Sequence, residues 1–217
     1  MTLTRPLLKI CGLRDPDQAA AVAALGADAI GVIAVVGSPR FVAPGARPEL
    51  FAAVHRAAPA CLGVLVVANP PNSALPELGP GQGHQVVQLH GDESPQRCAE
   101  LRHWLPHSSL WKALRIRSRD DLQRVDAYRG VVDAILLDAW AASQLGGTGQ
   151  RLPLDWLADF DPGLPWWLAG GITPETAPEA LEMLRPHGLD ASSGVEHSPG
   201  RKDLDRVAAL IATLPTA

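Results

Sequence analysis

The stretch Leu7–Gly26 reads LLKICGLRDPDQAAAVAALG, and it decides which kind of α/β protein this chain resembles. Leu7–Cys11 is a strand-like apolar run carrying Lys9 and Cys11. Asp17–Leu25 is an alanine-rich helical pattern, and Gly26 follows it as a C-cap. A dinucleotide-binding open sheet would carry GxGxxG straight after such a strand. None follows here. The same alternation recurs, with candidate strands at Ala29–Val36, Cys61–Val67, Gln85–Leu89, Leu110–Arg115, Ala134–Asp138, Trp166–Ala169 and Leu189–Ser192. Helical patterns are expected at Ser94–Trp104, Ser118–Tyr128, Thr173–Leu184 and about Asp203–Leu214. Eight strand–helix units in 217 residues allow about 27 residues each, tight but sufficient for a closed barrel. The expectation is an α/β chain forming a single (β/α)8 TIM barrel over residues 1–217. The doubly wound sheet is its rival, since strand count alone does not separate the two.

Two connections depart from the regular pattern. Asn69–Gly83 holds four prolines and three glycines, so its helix after strand three is expected to be short or irregular. A glycine-rich loop, Gly146-Gly147-Thr148-Gly149, follows strand six and leads only to a short Leu154–Phe160 helix. Strand-like runs flank both segments closely, so neither reads as a domain linker.

Composition narrows the function classes. The chain is 47% hydrophobic and 19% charged, as a globular protein is, and its formal charge of −4 makes no case for nucleic acid or an acidic membrane surface. Three cysteines, Cys11, Cys61 and Cys98, have no CxxC and no metal-ligand spacing, which suits a reducing compartment. No apolar run is long enough to span a bilayer. A cytoplasmic enzyme is expected. His103 and His107 are four apart, but Pro106 breaks the helix between them, so no metal site is expected.

The polar residues of the strands are the informative ones. Alternate strand residues share a face, so Lys9 pairs with Cys11, Gln88 with His90, and Asp190 with Ser192, while Asp138 ends an apolar strand. These lie at or near the C-terminal ends of their strands, where barrel enzymes build their active sites. Lys9, Gln88, His90 and Asp190 are therefore expected to line one substrate pocket. A lone strand cysteine is more often a core residue, and His90 before Gly91 also fits an ordinary loop histidine. The turns Gly170-Gly171 and Ser192-Ser193-Gly194 come straight after strands seven and eight. In barrels those two turns offer backbone N–H groups to a phosphate.

Taken in order, KICGL (9–13), SPRFV (38–42), VQLHGDE (87–93), ILLDAW (135–140), LGGTGQ (145–150), LAGGITPE (168–175) and DASSGVEHSPGRKD (190–203) span nearly the whole chain. Together they resemble the phosphoribosylanthranilate isomerases of tryptophan biosynthesis. The resemblance implies a cofactor-free Amadori rearrangement of N-(5-phosphoribosyl)anthranilate, an aminoaldose, to 1-(2-carboxyphenylamino)-1-deoxyribulose 5-phosphate. It implies Cys11 as general base, Asp138 as general acid, and Arg40 at the anthranilate end of the substrate. It puts the phosphate on the turns at Gly170, Gly171, Ser192, Ser193 and Gly194. The partner is a small phosphorylated aminosugar, and the chain is expected to be a monomer or homodimer.

The chemistry suits those residue types. Ring opening needs a proton on the ribose oxygen, which a partly buried carboxylic acid can donate. Removal of the C2 proton needs a base, and a thiol is mostly protonated at neutral pH unless a nearby cation favours the thiolate. Lys9, on the same strand face, is the candidate cation. Two departures from the family pattern stand out. The run before Ser38-Pro39-Arg40 is Ala34-Val35-Val36-Gly37 rather than aromatic, and Gln150 replaces a lysine after the glycine loop. The histidine-pathway aminoaldose isomerase is a rival that Cys11 disfavours, because it is expected to use aspartate there. A metal-dependent sugar-phosphate epimerase would need a histidine and carboxylate ligand set, and none is evident in the spacing. A catalytically dead phosphate-binding barrel would have no need of both Cys11 and Asp138.

Overall fold

The computed structural model describes residues 5–79, 81–139 and 151–215. Eight strands close into a parallel barrel in sequence order: β1 (Leu7–Cys11), β2 (Ala29–Ile33), β3 (Leu62–Val67), β4 (Val86–Leu89), β5 (Ser109–Ile116), β6 (Ala134–Ala139), β7 (Trp166–Ala169) and β8 (Gly188–Ala191). Closure comes from β1 pairing with β8, with Lys9 opposite Asp190. A doubly wound open sheet is thereby excluded. The strands are short runs of Val, Ile, Leu and Ala because one face meets the barrel interior and the other meets helices, so neither face is wet.

The outer layer is α1 (Pro16–Ala24), α2 (Arg47–Ala57), α3 (Leu75–Leu78), α4 (Pro95–Trp104), α5 (Ala177–Met183) and α6 (Leu204–Ala212). Asp15 caps α1 through Gln18 N at 2.8 Å, and Ser94 caps α4 through Arg97 N at 3.2 Å. α3 is the stunted helix expected after β3. α2 is not among the helical patterns singled out by residue range, although the eight strand–helix units require a helix there. It is held by Leu50, Phe51 and Val54, all fully buried. The Ser118–Tyr128 pattern forms a 3-10 helix over Arg119–Tyr128, and the expected Leu154–Phe160 helix is a 3-10 turn at Leu154–Leu157. The glycine loop at 146–149 and Gln150 lie outside the described residues.

Two differences bear on the site. β2 ends at Ile33 rather than Val36, because the chain folds back: Ser38 N bonds to Val35 O, and Val42 N returns to Ile33 O. Val36 is left without a strand neighbour and is exposed. Between β8 and α6, the chain adds a hairpin, β9 (Glu196–Ser198) and β10 (Arg201–Lys202), that carries two buried charges to the barrel mouth. No helix among the described residues is long and apolar enough to cross a membrane.

The turn after β4 is fastened from outside the barrel. Lys112 is on the face of β5 opposite Trp111 and Ala113, and is buried. Its Nζ donates to Glu93 Oε2 at 2.9 Å and to the carbonyls of Gly91 and Ala113 at 2.8 Å each. Glu93 accepts in turn from Asn69 N at 2.6 Å and Gly91 N at 3.2 Å. A buried ion pair is tolerated when hydrogen bonds satisfy both charges, as here. The clasp fixes the His90-Gly91 segment that enters the site.

Candidate active site

The inner faces of the strands change character along the barrel. Trp167, one layer deeper than Asp190, stacks on Trp111 with ring centroids 4.7 Å apart, and this pair forms part of an apolar interior. Toward the C-terminal ends the interior turns polar: Lys9, Gln88, His90, Asp138 and Asp190 are all buried. Lys9 Nζ donates to Asp190 Oδ1 at 2.9 Å across the β1–β8 seam. Burial alone would lower the Lys9 ammonium, but the charges of Asp190 and Cys11 together hold it above its ordinary value.

Cys11 occupies a notch in the neighbouring strand. Its register partner is Gly31, and a Cβ on Gly31 would lie 2.6 Å from Cys11 Sγ. Burial pushes the thiol above its ordinary value; Lys9 and Lys202 pull it down and Asp190 pushes it up, and burial prevails. Lys9 therefore acts on Cys11 in the expected direction, but its ammonium is shared with Asp190. The carbonyl of Cys11 is bonded too, by Lys202 Nζ at 2.5 Å and Ser192 Oγ at 3.0 Å. Cys61 and Cys98, buried among apolar side chains away from this mouth, are pushed up to about 12 and about 11.

On β4, Gln88 Nε2 lies 3.0 Å from His90 Nδ1, and His90 Nε2 lies 3.4 Å from Asp138 Oδ2 at the end of β6. Arg40, expected at the anthranilate end, has its guanidinium on Glu196: Nε to Oε1 at 2.9 Å and Nη2 to Oε2 at 2.7 Å. Lys202 Nζ joins the same carboxylate at 2.7 Å. Burial would raise Glu196, but Arg40 and Lys202 outweigh it and hold the carboxyl below its ordinary range. Lys202 itself is lowered by burial, against the pull of Glu196. This three-charge cluster ties the hairpin to Cys11 and to the loop after β2.

The two expected phosphate turns touch each other. A Cβ on Gly194 would lie 2.1 Å from the carbonyl oxygen of Ile172, so only glycine permits this packing. Gly170, Gly171, Ser192, Ser193 and Gly194 are thus brought together. The helix expected from Thr173 begins at Ala177, because Thr176 Oγ1 accepts from Thr173 N at 2.9 Å and donates to Gly171 O at 2.8 Å, making a side-chain-bonded turn.

Beside this mouth, a cavity of about 260 Å³ is lined by Gly91, Asp92, Ala113, Arg115, Arg117, Asp121 and Arg124. Arg115 is the register partner of Asp138 and pairs with Asp92 at 2.5 Å. Among the described residues no group of three or more His, Cys, Asp or Glu side chains could hold a metal ion.

A family model described as N-(5'-phosphoribosyl)anthranilate (PRA) isomerase matches residues 8–213. The chain belongs to that family. The N-(5'-phosphoribosyl)anthranilate isomerase of Thermosynechococcus vestitus is 48% identical over 212 residues, covering 97% of this chain and 90% of the relative. The crystal structure of phosphoribosyl anthranilate isomerase from Thermotoga maritima superposes with a TM-score of 0.85 at 26% identity, over 96% of this chain and 98% of that one. A phosphoribosyl anthranilate isomerase in complex with reduced 1-(o-carboxyphenylamino)-1-deoxyribulose 5-phosphate gives 0.78 at 27% identity, over 96% and 97%. The whole PRA isomerase barrel is therefore present in this chain. The residues expected from the sequence to form the site are gathered toward the C-terminal ends of the strands. Arg115, Glu196 and Lys202 were missing from that reading. Arg115 carries the signal that marked Asp138, a charge near the end of an apolar strand; Glu196 and Lys202 fall within the DASSGVEHSPGRKD motif, but on a hairpin with no apolar pattern to single them out.

Proposed function

We propose that this chain isomerises N-(5'-phosphoribosyl)anthranilate in tryptophan biosynthesis by an Amadori rearrangement, with Asp138 as general acid and Cys11 as general base. Asp138 in its acid form gives its proton to the ribose ring oxygen while the amine lone pair breaks the C1–O bond, leaving a ring-opened iminium. The Cys11 thiolate then removes the proton from C2, and the C2–H electron pair flows to the iminium nitrogen to give the enolamine. Loss of the enol proton and protonation at C1 complete the aminoketose, with no change in atom count. The phosphate is held by the turns at Gly170-Gly171 and Ser192-Ser193-Gly194, and Arg40 faces the anthranilate end. Lys9, paired with Asp190, favours the thiolate. The reaction takes place in the cytoplasm, on one 1–217 barrel acting as a monomer or homodimer.

The observation that carries this reading is convergence: a thiol ending β1 and a carboxyl near the end of β6 share one barrel mouth with two touching turns after β7 and β8. The test is rescue of a tryptophan auxotroph lacking this isomerase, with Cys11→Ala and Asp138→Asn alongside. Wild type should rescue and the variants should fail. Failure of wild type, or full rescue by both variants, refutes the assignment. Turnover in EDTA separates it from a metal-dependent epimerase, which would lose activity.

A further inference from the structure

Gln88 and His90 contain the two buried side-chain atoms that lack a hydrogen-bond partner among the described residues, Gln88 Oε1 and His90 Nε2. Gln88 is fully buried and His90 is 8% exposed. A buried polar atom without a partner forfeits its hydration without return, so these two atoms mark the Gln88–His90 pair for a role.

The direction of the bonds shows the use. Gln88 Nε2 is an N–H donor, and it faces His90 Nδ1 at 3.0 Å. With the amide in this orientation and the ring neutral, Nδ1 is the acceptor and the proton lies on Nε2. Nε2 lies 3.4 Å from Asp138 Oδ2 and makes no hydrogen bond to it, so a small shift of either group is needed to form one. The backbone holds this aim. His90 N donates to Val67 O at 2.7 Å, and the next residue, Gly91, is fastened by Lys112 and Glu93.

We propose that Gln88 is a positioning residue that acts through His90: it fixes the imidazole as the neutral Nε2–H tautomer and aims that N–H at Asp138. The inference rests on the reading of Asp138 as the general acid. When Asp138 gives up its proton to the ring oxygen it becomes an anion, and the Nε2–H bond to it forms at that moment. The bond is therefore stronger in the transition state than in the ground state and raises kcat rather than tightening substrate binding. His90 does not itself transfer a proton in this scheme.

The test uses the full chain labelled with 15N, and the resonances of His90 are assigned among the seven histidines by their loss in His90→Gln. Wild type should show the proton on Nε2. Gln88→Glu, whose carboxylate accepts instead of donating, should move a proton onto Nδ1. In steady-state assays Gln88→Met and Gln88→Glu should lose about ten-fold in kcat, with KM changed less than about three-fold. His90→Gln places an amide near the Nε2 position and should keep more activity than His90→Asn, whose amide reaches only the Nδ1 position, by about ten-fold. An Nδ1–H tautomer in wild type, unchanged kcat in both Gln88 variants, or equal activity of the two His90 variants overturns the proposal. Absence of turnover by wild type instead overturns the functional reading on which it stands, whatever the tautomer.

Discussion

Replacing Gly31 by alanine tests whether the thiol is held by a notch. The added Cβ would lie 2.6 Å from Cys11 Sγ, 3.0 Å from its Cα and 3.1 Å from its Cβ. Ordinary contacts between heavy atoms are about 3.5–4.0 Å, so the overlap approaches about 1 Å. Rotating the thiol away relieves only the first contact. The other two require β1 and β2 to part, against the bond from Gly12 N to Gly31 O at 2.8 Å. Overpacking of this kind costs about 1–3 kcal/mol of stability. A base displaced by about 1 Å loses up to about 100-fold in rate. The turns proposed to hold the phosphate follow β7 and β8, so KM should move much less than kcat. The assay is steady-state kcat and KM on N-(5'-phosphoribosyl)anthranilate, with a urea midpoint for stability. Gly45→Ala is the control, because a Cβ there meets nothing within 4 Å. If Gly31→Ala matches the control in both kcat and urea midpoint, the notch has no role in placing Cys11 and the reasoning is refuted.

Three further outcomes are expected. Lys9→Met removes the cation that lowers the Cys11 thiol while leaving burial and Asp190, both of which raise it, so activity should appear only at higher pH; an unchanged pH profile of kcat/KM rules this out. The same variant leaves Asp190 buried without its partner and should cost about 3–5 kcal/mol of stability, read from urea unfolding. Burial lowers His84 below its ordinary value although its ring is bonded to Leu78 O. The unfolded chain therefore takes up a proton there before the folded one does, so stability is full above the ordinary histidine range and falls as pH drops through it, by at most about 1.4 kcal/mol per pH unit. His84→Asn should flatten the difference between urea midpoints at about pH 7.5 and about pH 5 relative to wild type; parallel curves contradict the assignment.

Much of the fold was legible because a parallel barrel writes itself in one dimension. Strands buried on both faces must be short apolar runs, and turns that carry no dinucleotide fingerprint favour closure over an open sheet. The residues gathered at the mouth were legible for a related reason: polar or ionisable side chains near the ends of apolar strands depart from the pattern, as Lys9, Cys11, Gln88, His90, Asp138 and Asp190 do. The misses follow from what local pattern cannot carry. β2 stops at Ile33 because a later segment folds back on it, and the β9–β10 hairpin is placed by ion pairs to Arg40, which is far away in sequence.

Lys9 and Lys112 mark the boundary between the two kinds of information. Each is a cation inside an apolar strand, each is buried, and each has a carboxylate at 2.9 Å. The sequence alone determined that Lys9 shares a face with Cys11, since strand residues two apart point the same way. Only the closed barrel decided that the Lys9 face looks inward, to Asp190, while the Lys112 face looks outward, to Glu93 and the turn it secures. Alternation defines two faces of a strand, but it takes the eighth strand meeting the first to make one of them the inside.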